Sequence, residues 1–142
     1  MAKLKPAIST PWHMWVLGVL LLLWNGLAAV DYVMTVIRFE PYLACHPEEV
    51  LAYLYNAPLW MYVVWGLSMV GGLVATILLL LRRRAAVPVY LIAWLGSVIA
   101  VAYMFVKPVP GGGKALLAVA VLLISLLVLF YFDWLRKRGV LR

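Results

Sequence analysis

The sequence predicts an all-α membrane protein of four transmembrane helices, and three observations carry that class. Apolar residues make up 68% of the 142 positions and charged residues only 12%, against about 45–50% and about 25% in soluble domains. The apolar residues gather into four stretches, residues 16–37, 58–81, 88–106 and 115–132, each near the ~20 residues that cross ~30 Å of hydrocarbon. None of the four alternates in the ~10-residue pattern of a barrel strand. A backbone that must satisfy its amides without water is then helical. The four spans and their loops account for residues 1–142, read as a single transmembrane domain.

The elements follow in order. Lys3 and Lys5, the apolar run 16–23 and Gly26-Leu27-Ala28 have the outline of a cleavable leader. The apolar pattern continues through Val30 and Val33 to Ile37, so this segment is expected to stay as span one. In the first loop, His46 is placed to cap a helix with Pro47 at its first position and Glu48 and Glu49 in its first turn. Val50, Leu51, Leu54 and Tyr55 then share one face. This predicts a short extracytoplasmic interfacial helix over about residues 47–56, roofing the bundle and ended by Asn56 and Pro58. The loop 82–87 is short enough to make spans two and three an antiparallel hairpin. Lys107-Pro108-Val109-Pro110 stops span three, and Gly111-Gly112-Gly113 makes a turn. Lys114 after that glycine run lacks the spacing of a phosphate loop. Span four, with Ser125 and a few alanines among bulky aliphatics, reads as largely lipid-facing.

Charge sets the expected orientation. Nine basic residues, Lys3, Lys5, Arg82, Arg83, Arg84, Arg136, Lys137, Arg138 and Arg142, fall on one side, against Arg38, Lys107 and Lys114 on the other. Both termini are therefore expected in the cytoplasm. The +7 net charge reads as this topology signal and as attraction to anionic membrane lipids, not as nucleic-acid binding. Trp12, Trp15, Tyr90, Trp94 and residues 130–134 fall near the basic side, and Phe39, Tyr42, Tyr53, Tyr55, Trp60, Tyr62, Tyr103 and Phe105 near the other. They are read first as interfacial anchors.

Small residues mark candidate helix-packing faces. Ser68, Gly72 and Thr76 recur every four positions in span two, and Gly96 and Ala100 in span three, spacing that lets backbones approach closely. Polar side chains concentrate in span one, where Asn25, Asp31, Thr35 and Arg38 form the candidate intramembrane site. Asp31, Thr35 and Arg38 are spaced to share a helix face, with Arg38 leaning back toward Asp31. Asp31 is read either as a proton or cation site at a cavity mouth, or as the partner of Arg38 or a tyrosine hydroxyl that locks span one in place. Asn25 lines a deeper face or ties helices together.

His13 and His46 belong to opposite sides, and Cys45 is the single cysteine, so no metal, cofactor or catalytic residue is proposed from the sequence. No nucleophile–base pair or paired carboxylate stands out, and the chain is read as non-enzymatic.

Several local patterns are familiar together: Leu23-Trp24-Asn25-Gly26, Asp31-Tyr32-Val33-Met34-Thr35, Asn56-Ala57-Pro58-Leu59-Trp60, and residues 78–84 running into Ala86-Val87-Pro88-Val89. Over about residues 12–107 the chain resembles a family of small four-span bacterial inner-membrane proteins often labelled "sugar transporter". That resemblance implies the four-span fold and a bacterial inner-membrane location, and it brings no verified binding residue. The first expectation for function is an accessory or assembly subunit docking on a larger inner-membrane complex, its partners being lipids and a membrane protein or further copies of itself. A small-solute transporter working as an oligomer is the alternative. A lipid- or quinone-binding protein is the third.

Overall fold

The computed structural model describes residues 8–112 and 114–142, so Lys3, Lys5 and Gly113 lie outside the described residues. Among these residues six helices follow one another: α1 Trp12–Val36, α2 Glu40–Leu43, α3 Glu48–Tyr55, α4 Leu59–Leu80, α5 Ala86–Val106 and α6 Lys114–Lys137. Among the described residues there is no strand. Helices α1, α4, α5 and α6 are each long and apolar enough to cross a membrane, as the sequence predicts. Helix α1 begins four residues ahead of the predicted span, directly after Pro11. The interfacial Trp12 and His13 extend the helix beyond the apolar run, because helix formation needs only paired amides whereas a span also needs apolar side chains.

Two local expectations are corrected between α1 and α4. The N-cap of α3 is Pro47, not His46, and no side chain caps the helix. Extended Pro47 offers its carbonyl to the amides of Val50 and Leu51 at 3.0 and 3.2 Å, so the helix starts one residue later. His46 lies instead beside the ring of Tyr42, 5.6 Å between centroids. The single turn α2, with Pro41 in its first positions, has no counterpart in the sequence reading.

Helix α4 is the central element. It packs on α1 along one side and α5 along the other, and α6 packs on α5. Backbones meet where side chains vanish. A Cβ at Gly72 would stand 2.5 Å from Asn25 Oδ1, and one at Gly96 would stand 2.6 Å from Ser68 Oγ. The stripe Ser68, Gly72 and Thr76 is buried, and so closes α4 onto its neighbours within the chain.

The start of α1, the C-terminal tail and the turn of residues 82–84 share one end of the bundle, called here the basic end; α2 and α3 cover the other, the roofed end. The basic end holds the densest packing. Met14, Leu79, Phe132, Leu135 and Leu141 are fully buried, and Tyr90 lies 4.7 Å from Phe132 between ring centroids. Tyr90, expected as an interfacial anchor, is therefore a core residue. After α6, Gly139 turns at φ 75° and the tail folds back. The Arg84 amide donates to the Arg142 carbonyl at 3.1 Å and the Arg142 amide to the Arg82 carbonyl at 2.6 Å. The Nε atoms of Arg82 and Arg84 donate to the carbonyls of Val140 and Leu141 at 3.2 and 3.3 Å. Two arginines that read as topology charges thus also clamp the tail.

Along the middle, α1 exposes Leu20, Leu23 and Leu27, and α6 exposes Leu116, Leu123 and Leu127. Such a surface suits hydrocarbon and no aqueous solvent.

Candidate functional site

The four polar residues of span one do not form one site. Asn25 lies in the middle of α1, where its Nδ2 donates to the Leu21 carbonyl at 2.9 Å and to Thr76 Oγ1 at 3.3 Å. Thr76 in turn donates to the Gly72 carbonyl at 2.8 Å. Asn25 therefore ties α1 to α4. Asp31 lies six residues on, about 9 Å further along the helix.

The expected approach of Arg38 to Asp31 does not occur. Helix α1 stops at Val36, Ile37 caps it, and Arg38 takes a left-handed conformation with φ 56°. The Phe39 amide reaches back to the Met34 carbonyl at 3.0 Å, which seals the helix end in the manner of a Schellman turn. Face-sharing at seven residues holds only while the helix continues. Released from it, Arg38 places its guanidinium over the Tyr55 ring, 4.3 Å from the centroid. Thr35 and Arg38 line a shallow cleft with Tyr32 and Tyr55, separated from Asp31 by Tyr62, which lines both sides.

Asp31 lines a cavity of about 280 Å³ under α3, together with Tyr53, Leu54, Ala57, Met61, Tyr62, Trp65, Ala100, Tyr103 and Met104. Four elements supply its wall. Helix α1 gives the carboxylate, α3 the roof, and α4 and α5 the sides. Asp31 Oδ1 accepts a hydrogen bond from the Tyr42 hydroxyl at 2.8 Å. That bond is the main reason Tyr42's phenol is pushed above its ordinary value, with burial and the charge of Asp31 acting the same way. Of the two stabilising partners the sequence offered for Asp31, the structure pairs it with the tyrosine.

The roof is tied down by its own hydrogen bonds. Tyr62 donates to the Leu54 carbonyl at 2.6 Å and Tyr32 to the Tyr62 carbonyl at 3.0 Å. Those hydroxyls are spent on the scaffold. The Tyr53 hydroxyl is not: it is buried without a hydrogen-bond partner, and burial foremost, then the neighbouring Tyr103, pushes its phenol up. A buried hydroxyl left unpaired costs about 1–3 kcal/mol; His46 Nδ1 and Arg82 Nη2 are buried without partners as well, and of the three residues only Tyr53 lines this cavity.

A second set of polar residues faces a mid-bundle crevice between α1 and α6. Asn25, Ser68, Ser97 and Ser125 line it with Tyr90 and Trp94. Each serine donates to the carbonyl four residues earlier in its own helix, at 3.0, 3.2 and 2.8 Å, so the crevice has few free donors. Ala100 leaves the packing stripe it shares with Gly96 and helps line the Asp31 cavity. His13 bonds Tyr131 at the basic end, His46 stays at the roofed end, and Cys45 is exposed and free. Among the described residues no group of His, Cys, Asp and Glu is placed to hold a metal ion.

Compared with known protein families, with curated proteins and with solved structures, the chain matches none. The site therefore rests on its own geometry. Sequence reasoning singled out Asp31 but took Tyr53, Tyr62 and Tyr103 for interfacial anchors and passed over Trp65. Tyr62 and Trp65 are three apart on α4, a spacing that marks a shared face; that they share it with Tyr103 and Asp31 depends on how α1, α4 and α5 pack.

Proposed function

We propose that this chain is a multi-pass protein of a bacterial inner membrane that binds a small ligand of mixed apolar and polar character in the roofed cavity, as a carrier or receptor and not as an enzyme. One observation carries the reading: Asp31, the unpartnered Tyr53 hydroxyl and the rings of Tyr62, Trp65 and Tyr103 line one cavity. Concave, mostly apolar space with a few convergent polar groups is what small-molecule sites look like. The wall offers one carboxylate and several phenols, which suits holding a molecule better than transforming it. The reading as a docking subunit drew on small-residue faces, and Gly72 and Gly96 are taken up inside the chain. That moves the weight to the cavity.

The basic end belongs in the cytoplasm by the distribution of arginines and lysines, and the roofed end outside. Cys45, exposed near α3, should then react with a membrane-impermeant maleimide on right-side-out spheroplasts. Labelling only after the membrane is breached would reverse the orientation.

The cavity reading is tested by native mass spectrometry of the protein taken from its membrane in lipid nanodiscs. A small molecule retained near one per chain, and lost when Trp65 and Tyr103 are both changed to Ala, is the expected result. A stoichiometric complex with another protein and no retained small molecule would return the docking reading.

A further inference from the structure

Resting on that reading of the cavity, we infer that its ligand is a small alkylammonium cation that also carries a hydroxyl or carbonyl oxygen, as choline does. Among the described residues Asp31 is the only charged side chain in the wall. Among the described residues only its Oδ1 is engaged, by Tyr42. The nearest arginine along the chain is held on Tyr55 in the adjoining cleft, and among the described residues no cationic side chain forms an ion pair with Asp31. A carboxylate inside a membrane protein calls for a positive partner, and here the ligand must bring it.

The rest of the wall selects which cation. Tyr53 and Tyr103 lie 6.4 Å apart at 51°, and Tyr62 and Trp65 lie 6.5 Å apart at 41°. Trp65 and Tyr103 also meet Tyr32 and Trp60 in T-shaped contacts at 5.0 and 5.6 Å, and none of these pairs stacks face to face, so the rings lining the cavity are not sealed flat against one another. Aromatic faces attract a cation whose charge is spread over carbon and whose desolvation is cheap, which describes an alkylammonium. A metal ion would need several oxygen ligands, and one carboxylate with phenols does not supply them. A sugar would need partners for many hydroxyls, which a wall of Leu54, Ala57, Met61, Ala100 and Met104 denies it. The volume of about 280 Å³ sits at the lower edge of the ~300–1,000 Å³ of drug-sized sites, so the ligand has few heavy atoms. The Tyr53 hydroxyl, buried without a partner, supplies the oxygen requirement.

The test uses the full chain in nanodiscs, titrated by calorimetry and by tryptophan fluorescence, since Trp65 stands in the wall. Three probes are compared: choline, its neutral isostere 3,3-dimethyl-1-butanol, and tetramethylammonium, which lacks the hydroxyl. Choline is expected to bind at least about tenfold more tightly than the isostere. Asp31→Asn should lower choline affinity by at least about tenfold and leave the isostere unchanged. Tyr53→Phe should bring choline down to the affinity of tetramethylammonium, whose own binding stays as it was.

An isostere that binds as tightly as choline, or choline binding that ignores Asp31→Asn, overturns the cation while leaving the cavity reading in place. Absence of binding by all three probes, with a different molecule retained in native mass spectra, also overturns it. Absence of both overturns the cavity reading as well. If Asp31→Asn does not fold, the comparison of choline with its isostere on the unaltered protein decides the matter alone.

Discussion

The two ends of this bundle are built from similar materials and reach opposite results. At the basic end, Met14, Leu79, Phe132, Leu135 and Leu141 interlock with no exposed surface, and the tail closes over them by backbone bonds to the turn of residues 82–84. At the roofed end, aromatic residues are as plentiful, yet they stand around a cavity of about 280 Å³. The difference lies in the polar groups. The Nε atoms of Arg82 and Arg84 at the basic end bond tail carbonyls and draw the tail over the core, although Arg82 Nη2 is buried without a partner; at the roofed end Asp31, with one oxygen engaged, and the unpartnered Tyr53 hydroxyl line the cavity. The chain itself closes the basic end, and the roofed end keeps a cavity.

Both ends also stop a long helix with an arginine in the left-handed region, Arg38 at φ 56° after α1 and Arg82 at φ 57° after α4. The same backbone device serves different purposes. Arg82 bonds the tail, and Arg38 covers a ring.

Five substitutions test that contrast. The largest effect is expected from Phe132→Ala, which empties the centre of the basic-end core and should lower stability by about 3 kcal/mol, read as a shift in unfolding by sodium dodecyl sulfate. A much smaller loss would mean that the end is not the stable half. Next comes Gly72→Leu. Its side chain must displace Asn25, so a cost of about 2 kcal/mol is expected, with the α1–α4 contact loosened in cross-linking between those helices. If folding were untouched and only association with another protein were lost, the stripe would be a docking face after all.

Asp31→Asn is expected to change stability by less than about 1 kcal/mol, since an amide oxygen still accepts from Tyr42, while ligand retention falls. Severe unfolding by this variant would make Asp31 a structural residue. The smallest effect is a contrast. Removing the left-handed strain of an L-residue returns about 1 kcal/mol, so Arg38→Gly is expected to be neutral or slightly stabilising. Arg82→Gly gains the same relief but loses the tail clamp, and a net loss of about 0.5 kcal/mol is expected from the missing hydrogen bond. Equal melting temperatures for the two variants would erase the asymmetry between the ends.

The spans were legible because hydrocarbon imposes one demand on every residue of a segment, and a run of ~20 apolar residues meets it wherever the segment packs. Asp31 was legible for the same reason, as the single acid within the apolar runs. The relation of Asp31 to Arg38 was not. It turned on where α1 stops, and a helix end shifts by a residue or two for reasons of capping that apolar pattern does not register. The roof was foreseen in outline, but the start of α3 moved from His46 to Pro47. The tail was missed altogether: Val140 and Leu141 are two apolar residues among arginines, too short a signal to mark burial.

What the sequence by itself determined is the membrane-spanning helices, the short helix over one end, and the presence of one costly acid in span one. These are properties of single segments meeting a solvent, and solvent preference is additive along the chain. Only the tertiary structure decided that Asp31 lies among Tyr53, Tyr62, Trp65 and Tyr103, that Asn25 serves Thr76, and that Arg82 and Arg84 hold the tail. Those pairings join residues tens of positions apart, and their geometry depends on how closely α1, α4 and α5 approach. That distance is set by glycines on one helix meeting particular atoms on another, a matter of contact and not of composition.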